Sequence, residues 1–456
     1  VYFRTVINLA AGLIIAFVSI HVSAVLPDKE VARLGNELTP TGAEKAGNAD
    51  GSIPAWDGGL TSPADAGHAD FQPGGHHPDP YADDSVIATV DTTNLLLFRD
   101  KLTAGHQAML EMYNSFRMNI YLTRRSAALP RRIYEASRRS AVEAALSKDG
   151  NGVEGTVVGI PFPIPASGLE VIWNHILRYR GQSSMRYVGQ APVTRSGDYT
   201  LVKLRDTSIS FYHDENALRG GNMLLQFIQD IIAPPRLAGT ILLVHETLNQ
   251  SAEPRRAWIY NPGQRRVRRA PNIAFDSPGT GSDGLRTSDQ LDMFNGSPER
   301  YNWELIGKKE IYVPYNAYRL HSNLLKYEDI LDPLHLNPDN LRYELHRVWV
   351  VDATLKDNIS HLYKRRTFYV DEDSWQILHV DQYDNRDQLW RVSEAHVINY
   401  YDVPALWSTL EVHYDLQSGR YLALGLNNEE SKTIDFQPGV KAEDFTVSAL
   451  RRSGRR

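Results

Sequence analysis

The chain has 456 residues, 42% of them hydrophobic and 23% charged, with a formal net charge of −6. That balance belongs to a globular protein rather than a disordered one, and an acidic chain lacks the basic footprint of a general nucleic-acid binder. With no cysteine, a disulfide frame, a thiolate metal site and thiol catalysis are all excluded.

Residues 1–24 read as a targeting segment. VYFRT carries one positive charge, VINLAAGLIIAFVSI is apolar, and HVSA ends in a small–x–small pattern with cleavage expected after Ala24. The apolar run is shorter than the roughly twenty residues of a membrane span. An uncleaved anchor is the alternative. No cysteine follows to accept a lipid. The expected location is therefore the periplasm, free or associated with the outer membrane.

Residues 25–94 are dense in Gly, Pro, Asp and Ala, which precludes long helices and central strands. They read as an extended arm anchored by Trp56, Leu60 and Phe71. The pair His76–His77 lies there among aspartates, and the pattern favours solvent-exposed loop residues over a metal site. The remainder, 95–456, reads as one α+β domain.

Helical patterns follow. LTAGHQAMLEMY spaces Leu102, Met109 and Met112 for one face, and YEASRRSAVEAALS is Ala-rich, with Pro130 separating the two. In SGLEVIWNHILR, Ser167 and Glu170 form a capping box, and Leu169, Ile172, Trp173 and Ile176 recur on one face. KDGNG ends the second helix, and DGNGVEG lacks the later carboxylates of a calcium loop.

From residue 183 the chain turns to β-structure. A hairpin over 183–212 turns at RSGD, and LAGTILLVHETL and RRAWIY–NPG–QRRVRRA supply further strands. Residues 346–426 read as a meander, with the clearest alternation in TLEVHYDL. There Leu410, Val412, Tyr414 and Leu416 face one way, and Glu411, His413 and Asp415 the other. Between the two runs, 276–345 reads as an insertion of short helices and Gly/Pro-rich loops. Strands without long helices between them pair antiparallel. The fold class is thus α+β: a large, curved antiparallel sheet packed on helices.

No motif announces catalysis. GTGSDG matches a dinucleotide fingerprint in form, but no βαβ context surrounds it. There is no H-E-x-x-H, and His379 and Asp381, which share a strand face, read as solvent-facing. The arginines of QRRVRRA stand out. Arg265 and Arg269 share one strand face with Val267, while Arg266 and Arg268 take the other. That suits the rim of an open sheet, where internal salt bridges are the favoured reading and the head group of an amphiphilic ligand the alternative.

Several long stretches, among them ARLGNELTPTGAEKAGNADGSIPAWDGGL, PPRLAGTILLVHETLNQ, RRAWIYNPGQRRVRRAPNIAFD and RRTFYVDEDSWQI, resemble an exported bacterial family of unknown function. Its members are often labelled outer-membrane lipoprotein-sorting proteins. The W-x-Y–turn–V pattern at Trp258, Tyr260 and Val267 is similar to a hairpin of the carriers LolA and LolB. The resemblance implies an incomplete β-barrel whose open side is filled by helices, and a role in envelope transport beside exporters of the resistance-nodulation-division type and outer-membrane proteins. It carries over no catalytic residue, and neither a metal nor a cofactor is expected.

Three functions follow. The first is a non-enzymatic periplasmic carrier of a lipid, lipoprotein or other hydrophobic molecule, with Trp258, Tyr260, Trp349, Trp375 and Trp390 as candidate cavity lining, although plain core is the favoured reading of each. The second is a subunit without a ligand that docks on an envelope transporter or outer-membrane protein through its arm. An enzyme is the least supported.

Overall fold

The structure is a computed structural model that describes residues 26–453 apart from 157, 215–220, 271, 272 and 274. The expected cleavage site at Ala24 lies outside the described residues. No described helix is long and apolar enough to cross a membrane.

Helices α1 (Ala104–Met112), α2 (Arg131–Glu143) and α3 (Gly168–Leu177) precede the two main runs of strands, and two short strands, Ala88–Val90 and Met118–Ile120, join the same sheet beside Tyr343. The first run of strands is β1 (Ser183–Val193), β2 (Val202–Ser210), β3 (Met223–Ala233), β4 (Ile241–Thr247), β5 (Arg256–Asn261) and β6 (Arg266–Arg269). The second is β7 (Tyr301–Pro314), β8 (Tyr343–Leu355), β9 (Arg365–Asp371), β10 (Ile377–Tyr383), β11 (Leu389–Tyr400), β12 (Ala405–Asp415) and β13 (Arg420–Leu426). A short helix, α4 (Val447–Ser453), ends the described chain.

The two runs form one sheet in the order β7-β8-β9-β10-β11-β12-β13-β1-β2-β3-β4-β5-β6. Neighbours along this path are antiparallel, and the last strand of the second run joins the first strand of the first, Tyr421 opposite Val193. The outermost strands β7 and β6 do not pair with each other, so the sheet is not closed. Repeated register shifts, as at Leu305/Gly307 and His396/Val397, supply the bulges that bend such a sheet. The result is an incomplete barrel.

Both faces are covered, and the strand patterns show it. On one face Val171, Ile172, Trp173 and Ile176 of α3 pack with Val380, Ala395 and Val397. On the other, Met109 and Leu110 of α1 pack with Leu410, Val412 and Tyr414. Consequently Glu411, His413 and Asp415, which alternate with those residues, are buried too. His379 and Asp381 are likewise fully buried rather than solvent-facing, because α1 lies over them.

Other expectations shift for the same reason. α3 is buried almost all round rather than on one stripe. In α1, Met112 is exposed, and the buried set is Gly105, His106, Met109 and Leu110. Segment 276–345 is more than loops and short helices, since it contains β7, the long first strand of the sheet. The N-terminal segment lies down along its length. Trp375 Nε1 donates to the Thr41 carbonyl at 3.0 Å, Trp56 meets Tyr134 edge-on, and Leu60 and Phe71 pack on the α1-side core. His77 is buried on Asp402 at 2.8 Å, and His76 donates to the Asn427 carbonyl, so neither is a free loop residue.

Candidate functional site

The cross-strand register of β1 to β4 builds one wall of a cavity. Arg186 stands opposite Asp206, Asp206 opposite Gln229, and Gln229 opposite Leu242. One row along, Ser208 faces Phe227 and Phe227 faces Val244. Because successive side chains alternate, this whole set points to one side. The far wall comes from Ile176 at the end of α3, the loop carrying Gly279, Arg286, Leu291 and Asp292, and Trp407 of β12. The space enclosed is about 120 Å³.

The lining divides by chemistry. Phe227, Leu242, Val244 and Ile273 make an apolar side. The opposite side is ionic but largely neutralised. Arg178 donates to Asp292 Oδ1 at 2.6 Å, and Arg180 holds its Oδ2. Arg186 pairs with Asp206 at 3.1 Å and lies over the Trp407 ring at 4.7 Å. Arg255 pairs with Glu246 at 2.5 Å. Although burial opposes it, the Arg178 and Arg180 guanidinium groups hold the Asp292 carboxyl well below the usual range.

Arg286 is the exception. Its side chain is buried, only 4% exposed, and among the described residues it has no ion-pair partner. Its Nε lacks a hydrogen-bond partner, and burial pushes its pKa down. The acidic groups it senses most are Glu411 and then Asp206. Glu411 does not serve as a firm counter-ion. Burial, with the Asp292 charge second, pushes it up to about 7, and only its Oε1 is bonded, by the Ser408 hydroxyl at 2.9 Å. The site therefore presents, beside an apolar wall, a buried guanidinium with no ion-pair partner among the described residues.

A family model described as "Protein of unknown function (DUF1329)" matches residues 89–451. The chain belongs to this family. The chain is 51% identical, over 97% of both lengths, to the uncharacterized protein PA3922 of Pseudomonas aeruginosa. Among solved structures it is similar to a DUF1329 family protein from Desulfovibrio piger, at 15% identity and a TM-score of 0.41, over 59% of this chain and 92% of that one. It is also similar to the LolA superfamily protein NE2245 from Nitrosomonas europaea, at 13% identity and a TM-score of 0.37, over 62% of this chain and all of that one.

In this DUF1329 chain none of the five aromatic residues singled out from sequence lines the cavity. Trp258 and Tyr260 sit opposite Leu243 and Ile241, on the other side of the strands from Leu242 and Val244. There they pack with Phe445 and Leu450 of the C-terminal segment, and the His245 ring meets Trp258 at 4.9 Å. Trp349 stacks on Trp375 at 6.2 Å, with Lys308 above it. Trp390 donates to Asp415 at 3.1 Å beneath Arg391. Alternation misassigns the face when both sides of a strand are buried. Trp407, which does line the cavity, stood out by no spacing.

The four arginines Arg265, Arg266, Arg268 and Arg269 are exposed at the edge strand, and none forms an ion pair with a described residue. The internal salt bridges favoured from sequence are thus not what holds them. Arg265 takes a positive φ in the turn. Arg268 stands opposite Ile259, itself opposite Leu242. A row of side chains on the cavity face thus runs from the lining to the arginine rim.

Proposed function

We propose that the protein is a non-enzymatic carrier in the cell envelope, binding an amphiphile with an anionic head group and an acyl tail. Buried Arg286, with no ion-pair partner among the described residues and lining the same cavity as an apolar wall, is the observation that carries this reading. An unpaired buried charge is costly, and a carboxylate or phosphate would relieve it with a charge-assisted hydrogen bond. The Phe227, Leu242 and Val244 wall would take methylene groups at about 0.8 kcal/mol each. At about 120 Å³, the space fits part of a long chain rather than the whole, at roughly 10–15 Å³ per water-sized sphere. The rest of the tail would leave along Ile259 toward the arginine rim. Handing such cargo to or from an exporter of the resistance-nodulation-division type, or an outer-membrane protein, belongs to the same proposal.

The test is uptake of a fluorescent fatty acid by delipidated protein, with mass spectrometry of whatever co-purifies with the native chain. Arg286→Gln should weaken an anionic probe about tenfold, as loss of one charge-assisted contact of ~1.4 kcal/mol does, while leaving a neutral alcohol of the same length unchanged. Protein that takes up neither probe would end the carrier reading. A ligand-free docking subunit using the arginine rim would then be left, with the arm excluded as a grasping device because it is already packed on its own sheet.

A further inference from the structure

On the sheet face opposite the cavity, α1 brings three side chains together. His106 Nε2 lies 2.9 Å from Glu394 Oε1, and His379 Nδ1 lies 3.8 Å from the same oxygen. Each of the three residues offers a ligand atom within 4.8 Å of the others, and all are at most 1% exposed. We propose that His106, His379 and Glu394 form a binding site for a divalent transition-metal ion, zinc in the first instance.

The surroundings are those a metal site needs. Asp381 Oδ1 accepts a hydrogen bond from His379 Nε2 at 2.7 Å, fixing the tautomer that leaves Nδ1 free as a base. That Nδ1 has no hydrogen-bond partner. The Tyr343 hydroxyl donates to Glu394 Oε2 at 3.1 Å, orienting the carboxylate. Both nitrogens of His396 are also unpartnered, and its Nε2 lies 3.9 Å from Glu394 Oε2, within reach of the cluster.

Charge argues the same way. Two carboxylates, Asp381 and Glu394, are buried, and among the described residues histidines are their only basic partners. Buried charges are normally paired or coordinate metals. Two imidazoles and a carboxylate are a familiar donor set for zinc. The close fit of α1 depends on Gly105, whose amide donates to Asp381 at 2.9 Å. A Cβ there would lie 2.3 Å from the Asp381 carboxylate. A second group, His346, Asp371 and Asp373, does not share this character. Arg125 already grips Asp373 at 2.6 and 2.9 Å, and His346 stacks on Tyr315 at 3.8 Å.

The site joins α1 to β10 and β11, so a bound ion would staple the helix to the sheet and couple metal binding to folding. The experiment uses the full chain without a histidine tag, stripped by chelator. Zinc is added to the folded protein and, separately, supplied during refolding, with cobalt(II) as the spectroscopic probe. Roughly one zinc per chain, a raised Tm and a visible cobalt absorption band are expected. Glu394→Gln and His379→Ala should lose the band. Asp381→Asn, which touches no metal, should bind about 10- to 100-fold more weakly while keeping the band. If folded wild-type protein takes up neither ion by either route, the cluster is a proton-shared histidine–carboxylate network and the proposal fails. Equal zinc affinity in wild type and Glu394→Gln would also overturn it.

Discussion

Glu411 shows how a single residue on a doubly covered sheet acquires unusual chemistry. It alternates with Leu410 and Val412, and in a sheet with one wet face it would be an ordinary surface carboxylate. Here the loop bearing Arg286 and Asp292 covers it, and burial together with the Asp292 charge moves it from 4.5 up to about 7. The folded state therefore binds this proton more tightly than the unfolded chain. Stability should fall as pH rises from about 4.5 to about 7, and the slope from this group should vanish above that window. At one pKa unit per 1.36 kcal/mol, the loss is on the order of 3 kcal/mol. Glu411→Gln keeps the Ser408 contact and should flatten that part of the profile, read as urea midpoints at pH 5 and pH 8. An unchanged slope would mean that Glu411 is ionised throughout.

Among the elements, α3 has the most to lose by substitution. It starts where Ser167 accepts from the Glu170 amide at 3.3 Å and the Glu170 carboxylate turns back to the Ala166 amide. It then buries Trp173 completely, with the indole donating to the Gly150 carbonyl at 3.0 Å. Ser167→Ala should cost about 1 kcal/mol, and Trp173→Ala about 3–5 kcal/mol through cavity formation, both by urea denaturation. Because Ile176 at its end lines the site, the Trp173 variant should also weaken probe uptake. α3 was legible in the sequence because its cap and its apolar spacing are local. The TLEVHYDL strand and the RSGD and NPG turns were legible for the same reason. β7 was not: its first ten residues, YNWELIGKKE, alternate weakly and hold four charges, as an edge strand can. β3 passed without notice. The site was almost invisible, since its residues run from 176 to 407 and meet only through the register of β1 to β4 and the loop that covers them. The strand aromatics offered as lining candidates, such as Trp258, are instead core on the other face.

At the scale of the whole molecule, the decisive feature is the seam between β13 and β1, which joins the end of the chain's β-structure to its beginning. Tyr421 to Leu426 pair with Val193 to Gly189, and Ile434 and Asp435 add a second contact to β1 at Arg186 and Met185. The two runs of strands are therefore not separate domains, although the segment between them invites that division. α3 reinforces the link, since it precedes β1 in sequence but packs on β7 and β8. Ordering contacts so distant in sequence is entropically expensive until the rest of the sheet rewards it. The chain should accordingly unfold in one transition, with tryptophan fluorescence and far-ultraviolet circular dichroism coincident in urea. Fragments 26–300 and 301–456 should each fail to fold alone, because the first leaves β1 with a bare edge and the second loses α3 from its core. Mixing the two should restore the native spectrum only if the seam can form. A fragment that melts cooperatively by itself would show that the cavity, built almost wholly on the first run, folds without the meander.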